Sequence, residues 1–351
     1  MTANSIIAVQ FITAATAVLL GIVYATVIGS IRARWLVRWL ALPVIMLLVC
    51  SLVWGKYYVH KEASISIKEI QADPARAIES LSQAIAIDPA SSSALLKRGI
   101  AYRKLGDPQH AYSDLHKALD RSPRNLLARV ELSKATLDIG NAKEALVILN
   151  PVIEEQADNF DVLVAYGLAN VGMDNDNAAI DYFNSALAVA KDNDQRFIAQ
   201  MDLAVPLSRV RRYDDSIKHL EAALAIRPND AQAIWEMAHA YGEKGYFFHD
   251  QSFHAKALEL ATKALAIEPN SVGARMVKLD ALFYLGERSQ ALLDLSTLIR
   301  DNPNEPTLLL QRSRMYADQG MYDLASRDLE AARRIMPTYA FDAKNLGLLQ
   351  P

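Results

Sequence analysis

Cysteine is almost missing from this chain: one residue in 351, Cys50, set within an apolar run. A lone thiol excludes a disulfide framework and any CxxC-type metal or redox site. No glycine-rich phosphate loop, nucleophile elbow or HExxH helix occurs either. Asp and Glu are spread along helix faces, where solvated charge is the default explanation. The chain therefore reads as non-enzymatic, with no catalytic residue, no cofactor and no metal site expected.

Acidic side chains are missing from one end. Residues 1–61 carry Arg32, Arg34, Arg38, Lys56 and Lys61 and no Asp or Glu, a net of +5. The remaining 32 basic and 40 acidic side chains leave residues 62–351 at −8. A body this acidic is a poor match for a nucleic-acid backbone, so DNA and RNA are set aside as partners.

Charge is also missing from two long stretches. Residues 6–29 run 24 positions without a charged side chain, and residues 39–55 form a second run of 17. At ~1.5 Å per residue the first spans a bilayer core of ~30 Å with some tilt. Trp35, Trp39, Trp54, Tyr57 and Tyr58 flank the second, where amphipathic rings favour the headgroup zone. A neighbouring helix would tolerate a kink at Pro43. The leading MTANS lacks the basic residues of a signal peptide, and the run exceeds a normal signal core. A retained transmembrane hairpin is expected over residues 1–58, with helices at about 6–29 and 36–55. Arg32, Arg34 and Arg38 place its short turn in the cytoplasm and both termini outside. Lys56, Lys61 and Lys68 pull the other way, so the charge balance favours the extracytoplasmic side only slightly.

What the rest of the chain has is a period. Pro89 and Pro123 stand 34 residues apart, as do Pro269, Pro303 and Pro337. Ala77, Ala111, Ala145 and Ala179 keep the same step, then Ala257, Ala291 and Ala325. So do Gly106 with Gly140 and Gly286 with Gly320. Each period holds two helices: glycine turns the chain, alanine lets the helices approach, and proline ends the second helix. One such hairpin cannot bury its apolar face alone, so neighbours must stack.

The period and the pattern Gly99, Tyr102, Gly106, Ala111, Leu115, Ala118 and Pro123 resemble the tetratricopeptide repeat, TPR. Gly167 and Ala238 fill the position of Gly99, and Tyr241 and Tyr316 that of Tyr102. The expected fold is all-α, a transmembrane hairpin followed by a right-handed TPR α-solenoid. Its parts are a linker and partial repeat over 59–91, seven repeats over 92–337, and a capping segment over 338–351. Three departures stand out. Pro206 falls inside a first helix, where it should kink or break it. Three extra residues enter near AKDNDQRF, and seven near GEKGYFFHDQSFHAK, where a long inter-helix turn is expected.

The resemblance implies a ligand groove lined by the first helices. It would present Leu96, Ile100 and Arg103, then Val130, Lys134 and Leu137, then Val164, Leu168 and Val171. Met201 and Val205, Trp235 and His239, Met276, Asp280 and Phe283, and Leu310 and Arg314 complete it. Such a surface is mostly apolar with isolated charges and suits an amphipathic helix or an extended apolar peptide. Many of these side chains are equally suited to the core. The long turn offers Tyr246, Phe247, Phe248 and Phe253 as an aromatic contact patch, or as a self-packed loop. Its His249 and His254, with His239, match no trusted zinc spacing.

Two N-terminal helices followed by TPRs are similar in layout to the TPR subunit of Pel-type exopolysaccharide synthesis complexes. The layout is similar, less well, to the apocytochrome-handling subunit of c-type cytochrome maturation, which has a longer loop between its helices. The resemblance implies a multi-pass scaffold in a bacterial inner membrane, with subunits of a membrane complex as partners. In the Pel-type family the TPR part is thought to recruit other synthesis components, which favours the cytoplasmic side. The alternative is a chaperone-like holder of unfolded or secreted clients, such as apocytochrome c.

Overall fold

The computed structural model describes residues 67–335, together with Met46 and Ile65. The expected transmembrane hairpin and the capping segment lie outside the described residues. Among the described residues no helix is long and apolar enough to cross a membrane.

The described chain is helical throughout, without a strand, and divides into two compact units at Pro123 and Arg124. The first unit contains α1 (Ile67–Ala72), α2 (Pro74–Ile87), α3 (Ser92–Lys104) and α4 (Pro108–Arg121). The second begins with α5 (Leu126–Asp138), α6 (Ala142–Ile153), α7 (Phe160–Gly172) and α8 (Asp176–Val189). It continues with α9 (Asn193–Asp202), α10 (Ala204–Arg209), α11 (Tyr213–Ile226), α12 (Ala231–Phe248) and α13 (Gln251–Ile267). It closes with α14 (Val272–Tyr284), α15 (Arg288–Asp301), α16 (Pro306–Ala317) and α17 (Tyr322–Ile335).

Local chemistry sets these boundaries. Asp, Asn or Ser caps most helices, as where Asn125 accepts from the Ala128 amide at 3.1 Å and Asp230 from that of Ala233 at 2.9 Å. Pro89, Pro123, Pro228, Pro269 and Pro303 each stand two residues past a helix end, closing the second helix of a pair. From α3 onward the turn inside each pair uses a left-handed residue. Gly106, Gly140, Gly286 and Gly320 have φ between 74° and 111°, and Asp174, Arg211 and His249 do the same work at φ 54–63°.

The small-residue registers lie in the core. Ala77, Ala111, Ala145, Ala179, Ala257, Ala291 and Ala325 are all buried. Close approach is obligatory at Gly167, where a Cβ would stand 2.4 Å from the Phe183 ring, and at Gly99, 2.5 Å from Leu115. A polar bolt repeats as well. Arg98 donates to both carboxylate oxygens of Asp114, at 2.6 and 2.9 Å, and to Ser82 Oγ at 3.0 Å. In the second unit Arg312 does the same to Asp328 and Ser296.

The irregular repeats differ from the sequence reading in where they place their extra residues. Near Asn193 the connection between α8 and α9 is short, and the excess sits in a first helix broken at Leu203 into α9 and α10. Pro206, in the second piece, is buried. Seven residues near Tyr246 lengthen both helices of a pair, giving α12 18 residues and α13 17, while His249 and Asp250 alone make the turn. The long turn expected there does not exist. The aromatic residues sit where a helix can bury half of them, so continuing the hydrogen-bond ladder costs nothing.

Candidate functional site

The first helices of the second unit present the face that carries the candidate site. Positions are counted from the first helical residue, or from Phe197 in the broken helix, where buried Ala199 and Ala204 restore the register. The sixth positions are then Glu131, Ala165, Asp202, Glu236, Val277 and Gln311. The ninth are Lys134, Leu168, Val205, His239, Asp280 and Arg314. Gln311 shows how the two rows meet: its Nε2 donates to Asp280 Oδ1 of the preceding first helix at 2.7 Å.

At one end the rows are closed by their own charges. Arg314 donates through Nη1 to Glu243 Oε1 at 2.7 Å and through Nη2 to Asp280 Oδ1 at 2.8 Å. Its guanidinium also lies over the Tyr246 ring, 5.2 Å from the centroid. The side chains of Arg314 and Asp280 are only 17% and 8% exposed. Burial pushes the Glu243 carboxyl up, but Arg314 and His239 outweigh it and hold it below its ordinary range. His254 stacks on Tyr284 with ring centroids 4.7 Å apart, and burial lowers its pKa. Gly245 makes room for that ring, since a Cβ there would stand 2.9 Å from Nε2.

Elsewhere the rows are open. Lys134 pairs with Glu131 of its own helix at 3.2 Å. Asp202 Oδ2 is shielded from solvent and has no hydrogen-bond partner. Burial pushes the Asp202 carboxyl up to about 7, against the pull of Lys134. The Glu236 carboxyl is raised by burial too, and His239 opposes the shift.

The expected groove residues divide between core and face. In the first unit Leu96 and Ile100 are buried and Arg103 is half-buried. In the second, Val130, Val164 and Phe283 are also buried. These five are core; the same register positions are partly exposed in other repeats, so the neighbour each side chain meets decides its burial. Leu137, Leu168, Val171, Met201, Met276 and Leu310 are partly exposed, and Val205 is exposed. Trp235 is half-buried and lies flat on Gly273, where a Cβ would come within 3.0 Å of the indole. Arg314 and Asp280 are not isolated charges but partners in one network. The face is thus more polar than the sequence reading, which missed Glu236 and Asp202, each one residue from a position it named.

The aromatic patch is also smaller. Tyr246 turns inward onto Arg314 and Tyr284. Phe253 stacks on Tyr241 and receives Lys244 Nζ at 4.4 Å from its centroid. Only Phe247 and Phe248, 39% and 57% exposed, remain at the surface beside Tyr213 and Arg211. Among the described residues no group of His, Cys, Asp and Glu is placed to hold a metal ion.

Comparison with known proteins agrees with this architecture. Family profiles described as "Tetratricopeptide repeat" match residues 71–125 and 102–171. One described as "Plant specific mitochondrial import receptor subunit TOM20" matches residues 200–272. The DnaJ protein P58IPK homolog B of Oryza sativa subsp. japonica is 22% identical over 202 residues, 44% of this chain and 42% of that protein. Tetratricopeptide repeat protein 13 of Homo sapiens is 27% identical over 143 residues, 41% of this chain and 15% of that protein. The chain therefore spans less than half the length of these relatives. The crystal structure of a tetratricopeptide repeat protein from Parabacteroides merdae superposes with a TM-score of 0.53 at 15% identity. That match covers 74% of this chain and 98% of the other. The likeness is one of fold: an all-helical, TPR-like solenoid.

Proposed function

We propose that this chain of tetratricopeptide repeats is a non-enzymatic, membrane-anchored scaffold that binds and positions other proteins through the face of its first helices. The observation that carries the reading is the open stretch of that face, where Asp202 Oδ2 has no hydrogen-bond partner and Trp235 is half-exposed. Native proteins seldom leave a buried acceptor unmet without a use for it. The charge-free run over 6–29 supports the anchor. An anchored scaffold gains effective concentration toward partners in the same bilayer. Seven repeats over 92–337 form the binding array, and the layout supports a place in a bacterial envelope assembly of the exopolysaccharide type.

A holder of unfolded clients is the second reading, and exposed Phe247 and Phe248 favour it. Stoichiometry separates the two. A scaffold retains one or two folded partners at fixed ratio, whereas a holder suppresses aggregation of many denatured proteins. Reporters fused after residue 70 test the anchor and its side. Activity of both a cytoplasmic and an extracytoplasmic reporter in the soluble fraction would contradict the anchor.

A further inference from the structure

We propose that the first-helix face around Asp202 seats one lysine or arginine side chain of a bound polypeptide segment, with apolar side chains flanking that cation. This rests on the groove reading above and names its specificity.

The register supplies the argument. Where a ninth-position acid meets a sixth-position donor, as at Asp280 and Gln311, the pair closes at 2.7 Å. At Asp202 the corresponding neighbour is Leu168, an apolar residue that packs with Ala199 and Leu203 of the broken helix. At Glu236 it is Val205. In both places the roles of the two rows are reversed: the carboxylate stands at the sixth position and an apolar side chain at the ninth, so the facing residue offers it no donor. Asp202 Oδ2 is both shielded and unpartnered.

The helix is also broken just after this residue, between Asp202 and Ala204. Asp202 and Pro206 stand four apart, so the amide that would normally bond the Asp202 carbonyl does not exist. An unmet carboxylate suits an ammonium or a guanidinium, which carry several donors and no acceptor. The nearby cation, Lys134, is already engaged by Glu131 at 3.2 Å. A divalent metal would need several oxygen ligands converging, and no such group occurs among the described residues. Anionic ligands are excluded by sign. Met201, Val205 and Leu168 give the flanks their apolar character, which selects the neighbours of the cation.

The test uses the purified full-length chain and four fluorescein-labelled 12-residue Ala/Leu peptides, identical except for a central Lys, Arg, Gln or Glu. Binding is read by anisotropy at pH 8. The Lys and Arg peptides should bind at least about tenfold tighter than Gln, with Glu weakest. Asp202→Asn should bring Lys and Arg down to the Gln level, and Trp235→Ala should weaken all four alike. Leu168→Lys places a cation of the chain in the same slot and should abolish the preference with the Asp202 carboxylate left in place. A basic preference that survives both Asp202→Asn and Leu168→Lys overturns the inference. So does a wild type that binds all four equally, while the Trp235 effect keeps the groove reading alive. If wild type binds none of the four, the inference falls and the groove reading falls with it.

Discussion

Two stretches of one helix face differ in how they treat buried charge. From α12 to α16, Glu243, Asp280, Gln311 and Arg314 interlock across three first helices. From α7 to α12 the same two rows face each other with the acids, Asp202 and Glu236, at the sixth position and apolar Leu168 and Val205 at the ninth. The first arrangement satisfies itself and fixes neighbouring helices. The second leaves a cost standing in the free protein, which a ligand of the right charge can remove. On the reading proposed above, one pair of rows serves cohesion in one place and recognition in another.

The comparison is broken most forcefully at its closed end. Arg314→Met should lower stability by about 3 kcal/mol, because it removes the cation shared by buried Asp280 and half-buried Glu243. Equilibrium urea unfolding at pH 7 measures this directly. Glu243 belongs to the same network, and Arg314 holds its carboxyl low against burial. Its contribution is present above the ordinary glutamate pKa and is lost as pH falls through the lowered value. Arg314→Met should erase that acid-side loss.

At the open end the sign reverses. Burial raises the Asp202 carboxyl to about 7, so the folded chain holds a proton that the unfolded chain releases near its ordinary pKa. Its charged form destabilises the fold fully above about 7, and the penalty is relieved as pH falls through that value toward 4. Asp202→Asn should accordingly stabilise the chain by roughly 2 kcal/mol at pH 8, allowing for partial exposure, and by little near pH 4. Parallel thermal melts at the two pH values would show it.

A subtler change would convert one stretch into the other. Leu168→Gln supplies the donor that Gln311 provides to Asp280, and should bring the Asp202 carboxyl down by about one unit. Carboxyl-detected NMR titration reads that shift. The smallest effect is expected at the surface aromatic pair: Phe248→Ser, at a side chain 57% exposed, should stay within about 0.5 kcal/mol of wild type.

The repeat was legible because its signals are local and periodic. Alanine at close helix contacts and glycine at left-handed turns admit few substitutes, so Ala111 or Gly140 announces its own environment. Asp174, Arg211 and His249 adopt the same turn without glycine, and nothing in the residue type reveals it. The insertion at Tyr246 was misplaced because aromatic and polar residues in succession suit a long turn or a longer helix equally well. Burial of Leu96, Val130 and Phe283 depends on which neighbour each position meets, information that lies in a different repeat. Asp202 and Glu236 did leave a trace. Both carboxylates fall at the sixth position, and Pro206 stands four residues after the first. Reading that row alongside the ninth would have found the open stretch.

The most direct test places a photo-crosslinking amino acid at single positions of the full-length chain in its native cell. Leu168 and His239 sample the first-helix face, and the exposed Val147 and Leu293 sample second helices. Discrete protein adducts from Leu168 and His239, absent from Val147 and Leu293 and suppressed by Trp235→Ala, are the predicted result. Adducts confined to Val147 and Leu293 would contradict the account, because partners would then dock on the opposite set of helices.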